Sequence, residues 1–219
     1  TDDSLRFAFP AETTSKIIVF STNGRFYTID ASKLPGGRGH GEPVRLFADM
    51  EQEADLVAAF RYQGGRKFLV GSKAGKGFVV AEDEILATTR KGKQVLNVKA
   101  PDAAVAIAPV LGELAAAVGE NRKMVIFQLD QVPEMTRGSG VRLQRHKDGG
   151  LSDVVTFKAA DGLTWIGEGG RTSNLPIKEL AAWRGNRGDA GRVRPDRFLA
   201  NLKFGHPMDA GGNGGGDAK

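Results

Sequence analysis

The sequence predicts an all-β protein, a propeller-like array of four-stranded blades with four whole repeats and the leading strand of a truncated blade before them. Three observations carry this. Short apolar runs rich in Val, Ile and Phe alternate with turn residues along the chain, as buried strands do. The pattern repeats: turn positions Gly24, Gly75, Arg122 and Gly170 are separated by 51, 47 and 48 residues, and ten residues past each stands an apolar anchor, Leu34, Ile85, Val132 or Leu180. Four or five residues after each anchor a basic residue sits beside glycine: Arg38-Gly39, Arg90-Lys91-Gly92, Arg137-Gly138 and Arg184-Gly185. A module of this length cannot enclose its own core and must pack on its neighbours, whereas a single sandwich would not repeat turns, anchors and basic loops together.

Taken in order, Leu5, Phe7 and Phe9 alternate with Arg6 and Ala8, which predicts that residues 1–15 hold the closing strand of a preceding blade. Repeat one, about 16–63, has strands at Ile17–Phe20 and Phe26–Ile29 around Asn23-Gly24, a dipeptide suited to a tight hairpin. Val44–Phe47 and Leu56–Phe60 are expected as its third and fourth strands. Repeat two, about 64–110, offers Phe68–Val70, Phe78–Val80, Val95–Val98 and Val105–Ile107. Repeat three, about 111–159, offers Leu114–Val118, Met124–Phe127 and Val154–Phe157, with the most cationic loop of the four between them. Repeat four, about 160–204, offers Leu163–Ile166, a weaker second strand containing Pro176, as at a sheet edge, and a last strand at Phe198–Leu202. The blades therefore occupy 16–204, and the glycine-rich tail 205–219 is expected to be disordered.

Lys and Arg number 31 against 26 Asp and Glu, a net charge of +5. The excess is concentrated in the loops after the anchors, a footprint suited to a polyanion; an exposed, solubilising rim is the plainer alternative. No apolar run is long enough for a membrane helix, and the first residues lack the basic start and apolar core of a signal peptide. The missing initiator Met suggests a piece of a longer protein. With no cysteine, disulfides and thiolate metal sites are excluded, which fits a cytoplasmic location.

The candidate contacts for a phosphate backbone are Arg38, Arg45, Arg90, Lys91, Lys93, Arg137, Arg142, Arg145, Arg184, Arg187, Arg192 and Arg194. Neighbouring glycines let the backbone approach a phosphate and donate N–H groups. No recognition helix stands out, so sequence preference is expected to be weak and to follow deformability. His40, His146 and His206 are scattered and no pair has metal-ligand spacing; no metal or cofactor is expected. Tyr27 and Tyr62 lie in apolar settings that favour packed rings over a nucleophile. Asp30, Asp83 and Asp130 recur after the second strand of repeats one to three and read as turn caps. Trp165 and Trp183 are expected to pack between blades. A protein-interaction propeller that docks an acidic partner on its basic rim remains the alternative, and a sugar-processing propeller lacks converging carboxylates.

At NGRFYTIDASKLPGGRGHGEPVRL, and then at GSKAGKGFVV, VIFQLDQVPEMTRGSGV and ELAAWRGNRGDAGR, the chain resembles the C-terminal domain of the A subunit of bacterial topoisomerase IV, a relative of the gyrase A subunit. The resemblance runs to about Phe204. It implies a β-pinwheel, in which neighbouring blades exchange a strand, and a non-catalytic domain that binds and bends double-stranded DNA and presents it to a catalytic core. It also implies partners in decatenation and supercoil relaxation, namely the rest of the A subunit and the B subunit of topoisomerase IV. No membrane partner is implied, and the isolated domain is expected to be monomeric. The catalytic tyrosine of that family belongs to a region outside this chain. Gyrase relatives carry a glutamine- and arginine-rich box in one blade loop. Gln144-Arg145-His146-Lys147-Asp148-Gly149-Gly150 lies beyond the corresponding loop position, so the resemblance favours the topoisomerase IV branch.

Overall fold

In the computed structural model, residues 5–36, 41–167, 170–196, 198 and 200–209 are described. Each repeat opens with a hairpin. Strand β1 (Lys16–Ser21) pairs with β2 (Arg25–Asp30), β4 (Lys67–Ser72) with β5 (Lys76–Ala81), β8 (Leu114–Gly119) with β9 (Lys123–Gln128), and β12 (Leu163–Ile166) with β13 (Thr172–Leu175). The turns sit where the repeat alignment places them. Gly24 and Gly75 take φ of 77° and 78°, and Arg122 accepts the same left-handed region at 64°. A 3-10 turn follows each second strand and delivers the anchor: Ile85, Val132 and Leu180 are buried, while Leu34 is 38% exposed.

The remaining strands complete three four-stranded sheets. On one side of each hairpin runs β3 (Leu56–Arg61), β7 (Ala104–Pro109) or β11 (Leu151–Phe157), and these edges converge, with β7 packed against both β3 and β11. On the opposite, outer edge lies a two-residue strand taken from the next repeat. Thus β6 (Lys93–Gln94) pairs with β2, β10 (Val141–Arg142) with β5, and β14 (Arg192–Val193) with β9. This is the exchange that makes the array a β-pinwheel.

Several expected elements differ. Val44–Leu46 is a 3-10 turn rather than a strand, because the outer edge it would occupy is filled by β6, and Pro43 leads into it with φ −60°. In repeat two the strand ends at Gln94, and Val95 and Leu96 continue as buried residues held by the preceding hairpin. Phe198 lies in a turn, its amide bonded to Pro195 O, and packs its ring between Trp165 and Phe204, so the last expected strand is absent among the described residues. The described part of the fourth blade has two strands rather than four. Pro176 lies just past β13, leading into the next 3-10 turn. Residues 5–12 form no strand. Leu5 is 84% exposed, and Arg6 reaches Asp55 and Leu56 O instead.

The core lies between blades. Phe20, Phe26, Phe60, Phe68, Phe78, Ile85 and Leu96 form one cluster drawn from the first two blades; Leu69, Val79, Ala115, Phe127 and Leu151 join the second and third. Trp165, Leu180, Phe198 and Phe204 belong with Leu114, Ile126 and Phe157 in another. Trp165 is buried there, and Trp183 packs against its margin with its indole N–H donating to Val193 O at 2.7 Å.

A buried ion pair ties the first blade, the second blade and the C-terminal segment together. Arg66 meets Glu82 through two bonds, Nη2 to Oε1 at 2.6 Å and Nε to Oε2 at 3.1 Å, with side-chain exposures of 2% and 0%. Its guanidinium also donates to Arg61 O and Met208 O and lies over the rings of Phe60 and Phe68. Residues 205–209, expected in a disordered tail, are therefore packed, with Gln63 Nε2 donating to Asp209 O; 210–219 lie outside the described residues. Upstream, Phe204 is buried, its amide donating to Asp153 Oδ2 and its carbonyl accepting from Ile166 N, both at 2.8 Å. Burial pushes the Asp153 carboxyl above its ordinary range and the nearby His206 below its own.

Removing one member of a buried ion pair strands the other. Glu82→Gln is expected to cost about 3–5 kcal/mol, read as a lowered urea midpoint. Gly24→Val is expected to destabilise as well, because a Cβ there would stand 1.8 Å from Leu96 O at a φ of +77°. Its check is the amide exchange of Val95 and Leu96, both of which donate to Gly24 O.

Candidate nucleic-acid interface

Strand exchange turns the loops after the anchors into straps. From each anchor the chain runs back along the second strand of the preceding blade: Ala87 N donates to Thr28 Oγ1, Met135 N to Val79 O, and Gly185 N to Ile126 O. It then enters the exchanged strand and is clamped at the hairpin turn. Gly24 O accepts from Val95 and Leu96, Gly75 O from Leu143 and Gln144, and Arg122 O from Arg194. Neighbouring straps interlock, since Asn97 N donates to Gly138 O and Gly138 N to Val95 O, and Gly188 N donates to Leu143 O. The outer edge is thus one connected run of backbone that carries most of the candidate cations.

Those cations fall into two groups. Arg45 is exposed, yet its Nη2 binds Gln52 O at 2.9 Å and Ala54 O at 2.8 Å, so it holds the 51–54 loop together. Arg90 pairs with Asp49 and donates to Leu46 O; Lys93 pairs with Glu84; Arg137 reaches Asn97 Oδ1 at 3.4 Å. Arg187 donates to Arg142 O and Arg194 to Pro195 O. By contrast, the side chains of Lys91, Arg142, Arg145, Arg184 and Arg192 are exposed and make no hydrogen bond or ion pair with any described residue. Arg38 lies outside the described residues, as does His40.

One set of basic residues escaped sequence reasoning. The residue after each turn is Arg25, Lys76, Lys123 and Arg171, so the alignment that finds the turns also contains a fully basic column. In the first three blades it is the first residue of the second strand, directly opposite the exchanged strand: Arg25 pairs with Gln94, Lys76 with Arg142, and Lys123 with Val193. Gln144, at the head of the stretch that lies beyond the third basic loop, is fully buried. Its amide donates to Lys123 O and Ala190 O, closing the joint between the second and third blades.

The other polar groups serve packing. Tyr27 is buried. Tyr62 donates to Asp83, and that hydrogen bond, with burial, pushes its hydroxyl up to about 12. His146 is half-buried against Gly75 and Gly119, and burial lowers its pKa. Asp30 pairs with Lys33 rather than capping its turn by a side-chain hydrogen bond.

Fold and outer edge together define a β-pinwheel module with a cationic, strand-exchanged rim. The model of the DNA gyrase C-terminal domain, a β-propeller, matches residues 15–62, 66–110 and 117–159, and the chain belongs to that family. It is 43% identical over 202 residues to the A subunit of DNA topoisomerase 4 from Caulobacter vibrioides, covering 92% of this chain and 26% of that protein. To the corresponding protein of Rickettsia bellii it is 38% identical, covering 92% of this chain and 27% of the relative. It therefore spans about a quarter of the curated relatives it matches. Among solved structures, the E. coli ParC C-terminal domain superposes with a TM-score of 0.72 at 21% identity, over 85% of this chain and 79% of that one.

Arg45→Ala is expected to lower the thermal midpoint through loss of the bonded 51–54 loop, rather than to act through charge alone; calorimetry at low and high salt distinguishes the two. An ultraviolet titration is expected to find the Tyr62 hydroxyl protonated up to about pH 12. Asp83→Asn is expected to return it toward the ordinary tyrosine value of about 10.

Proposed function

We propose that this chain is the non-catalytic DNA-binding and DNA-bending domain of a type IIA topoisomerase of the topoisomerase IV kind, acting on the cytoplasmic chromosome. Its outer edge receives duplex DNA and presents it to the catalytic part of the same polypeptide, which works with the B subunit of the enzyme in decatenation and relaxation. The observation that carries this reading is the outer edge itself, where straps and exchanged strands of successive repeats display exposed Arg and Lys that pair with no described residue. Membership in the gyrase C-terminal domain family supports it, and so do relatives named as subunits of DNA topoisomerase 4.

The physical logic is electrostatic. Each phosphate neutralised releases counterions, so affinity falls with salt as a power of the number of contacts. Bending a site of 20–30 base pairs costs on the order of 1–6 kcal/mol, which contacts from several blades together offset. A rim without a recognition helix reads no base edges, so duplex length and flexibility govern affinity more than sequence.

Binding to short and long duplexes across a salt series tests this. With roughly six phosphates engaged, the log–log slope is expected near −5, with affinity rising with duplex length. Charge reversal of Arg142 together with Arg184 is expected to weaken binding at least several-fold without lowering the unfolding midpoint. Absence of binding at low salt, with capture of an acidic protein partner instead, would overturn the reading.

A further inference from the structure

We propose that Arg25, Lys76, Lys123 and Arg171, the residues immediately after the four hairpin turns, are a recurrent contact to the phosphodiester backbone, one per blade, set in the first three blades at the joint where the next repeat's strand crosses. The proposal rests on the DNA-binding reading above and deepens it by moving the centre of the contact from the glycine-rich loops to the joints.

The first argument is the column itself. The residue before it is Gly, Gly, Arg and Gly, and the residue after it is Phe, Gly, Met and Thr, while the position is basic each time. Folding supplies no reason for this. Lysine is common on exposed sheet edges, where it discourages pairing with other chains. Here the second strand is not an edge at that point, because β6, β10 and β14 cover it at this very register.

The second argument is the electrostatics of the joint. Lys76 stands directly opposite Arg142, an arrangement of like charges that destabilises a sheet. Lys123 faces Val193 with Arg192 and Arg194 on either side, and Arg25 donates to Lys91 O beside Lys93. None of the four forms an ion pair with a described residue. At the second and third joints cations are thus gathered in twos and threes with no carboxylate partner among the described residues. A bound polyanion removes that repulsion, and the turn carbonyl that clamps the exchanged strand fixes the spacing of the cations.

The third argument is availability. Arg90, Lys93 and Arg137, on the straps, already have protein partners and would have to exchange them for phosphate. Lys76 and Lys123 have none to give up among the described residues.

The test uses the full 219-residue chain and plain duplex DNA. Lys76→Gln, Lys123→Gln and the double variant are compared with Lys158→Gln, a surface lysine off the joints, in a salt series alongside thermal unfolding. The expected result is a slope reduced by about 0.9 per single joint variant and by about twice that in the double, an unchanged slope for Lys158→Gln, and restoration of the slope by Lys76→Arg. The unfolding midpoint of Lys76→Gln is expected to hold or rise, since a like-charge pair is relieved. Wild-type binding with slopes unchanged in both joint variants would overturn the joint assignment alone. Failure of the wild-type chain to bind duplex at low salt would overturn the DNA reading, and the joint assignment with it.

Discussion

The outer edge of each hairpin is the constraint from which the rest of the architecture follows. Strands β2, β5 and β9 would each present a row of unpaired N–H and C=O groups, and backbone groups shut away from water must find partners. The partner comes from the following repeat as two residues only, too short to hold by itself. It is held because the hairpin turn offers a carbonyl to it, and because glycine at Gly24 and Gly75 leaves room for the crossing chain. Everything else on that face is geometry imposed by this crossing: the strap must run back over the preceding blade, and the cations it carries must lie on the outside.

Inside, the burial of apolar rings follows the same logic. Phe20 and Phe26 stack at 4.3 Å, and around them lie Phe60, Phe68, Phe78 and Leu96, so one cluster is assembled from two repeats. A blade separated from its neighbour exposes half of such a cluster. The Arg66–Glu82 pair, with its guanidinium over the rings of Phe60 and Phe68 and bonded to Met208 O, adds direction to this apolar contact. Its charges are tolerable only in the one arrangement that satisfies the guanidinium with both a carboxylate and carbonyl groups.

Much of this is legible in the sequence, for a definite reason. Turns and anchors recur at a nearly constant period because every copy solves the same local problem, so Gly24, Gly75, Arg122, Ile85, Val132 and Leu180 can be aligned by spacing alone. The exchanged strands cannot, since two residues carry no periodicity and Arg25 finds Gln94 across the whole of an intervening hairpin. Val44–Phe47 and Phe198–Leu202 mislead because apolar composition does not distinguish a strand from a turn that packs one ring against the core. The rim is half legible. Arginines announce themselves, but whether a guanidinium meets no described partner, as at Arg142, or is tied to carbonyls, as at Arg45, depends on how the loops fold. The basic column after the turns is visible only when the repeats are read down rather than along.

The exchange also has a meaning for how the molecule is made. A ribosome releases the chain from its N-terminus, and each blade lacks its outer strand until the next repeat has been synthesised. Assembly therefore lags synthesis by one module, with an open β edge travelling along the nascent chain until a donor such as Arg192–Val193, the last among the described residues, emerges. A cut placed between two repeats therefore leaves the blade before it in that unfinished condition.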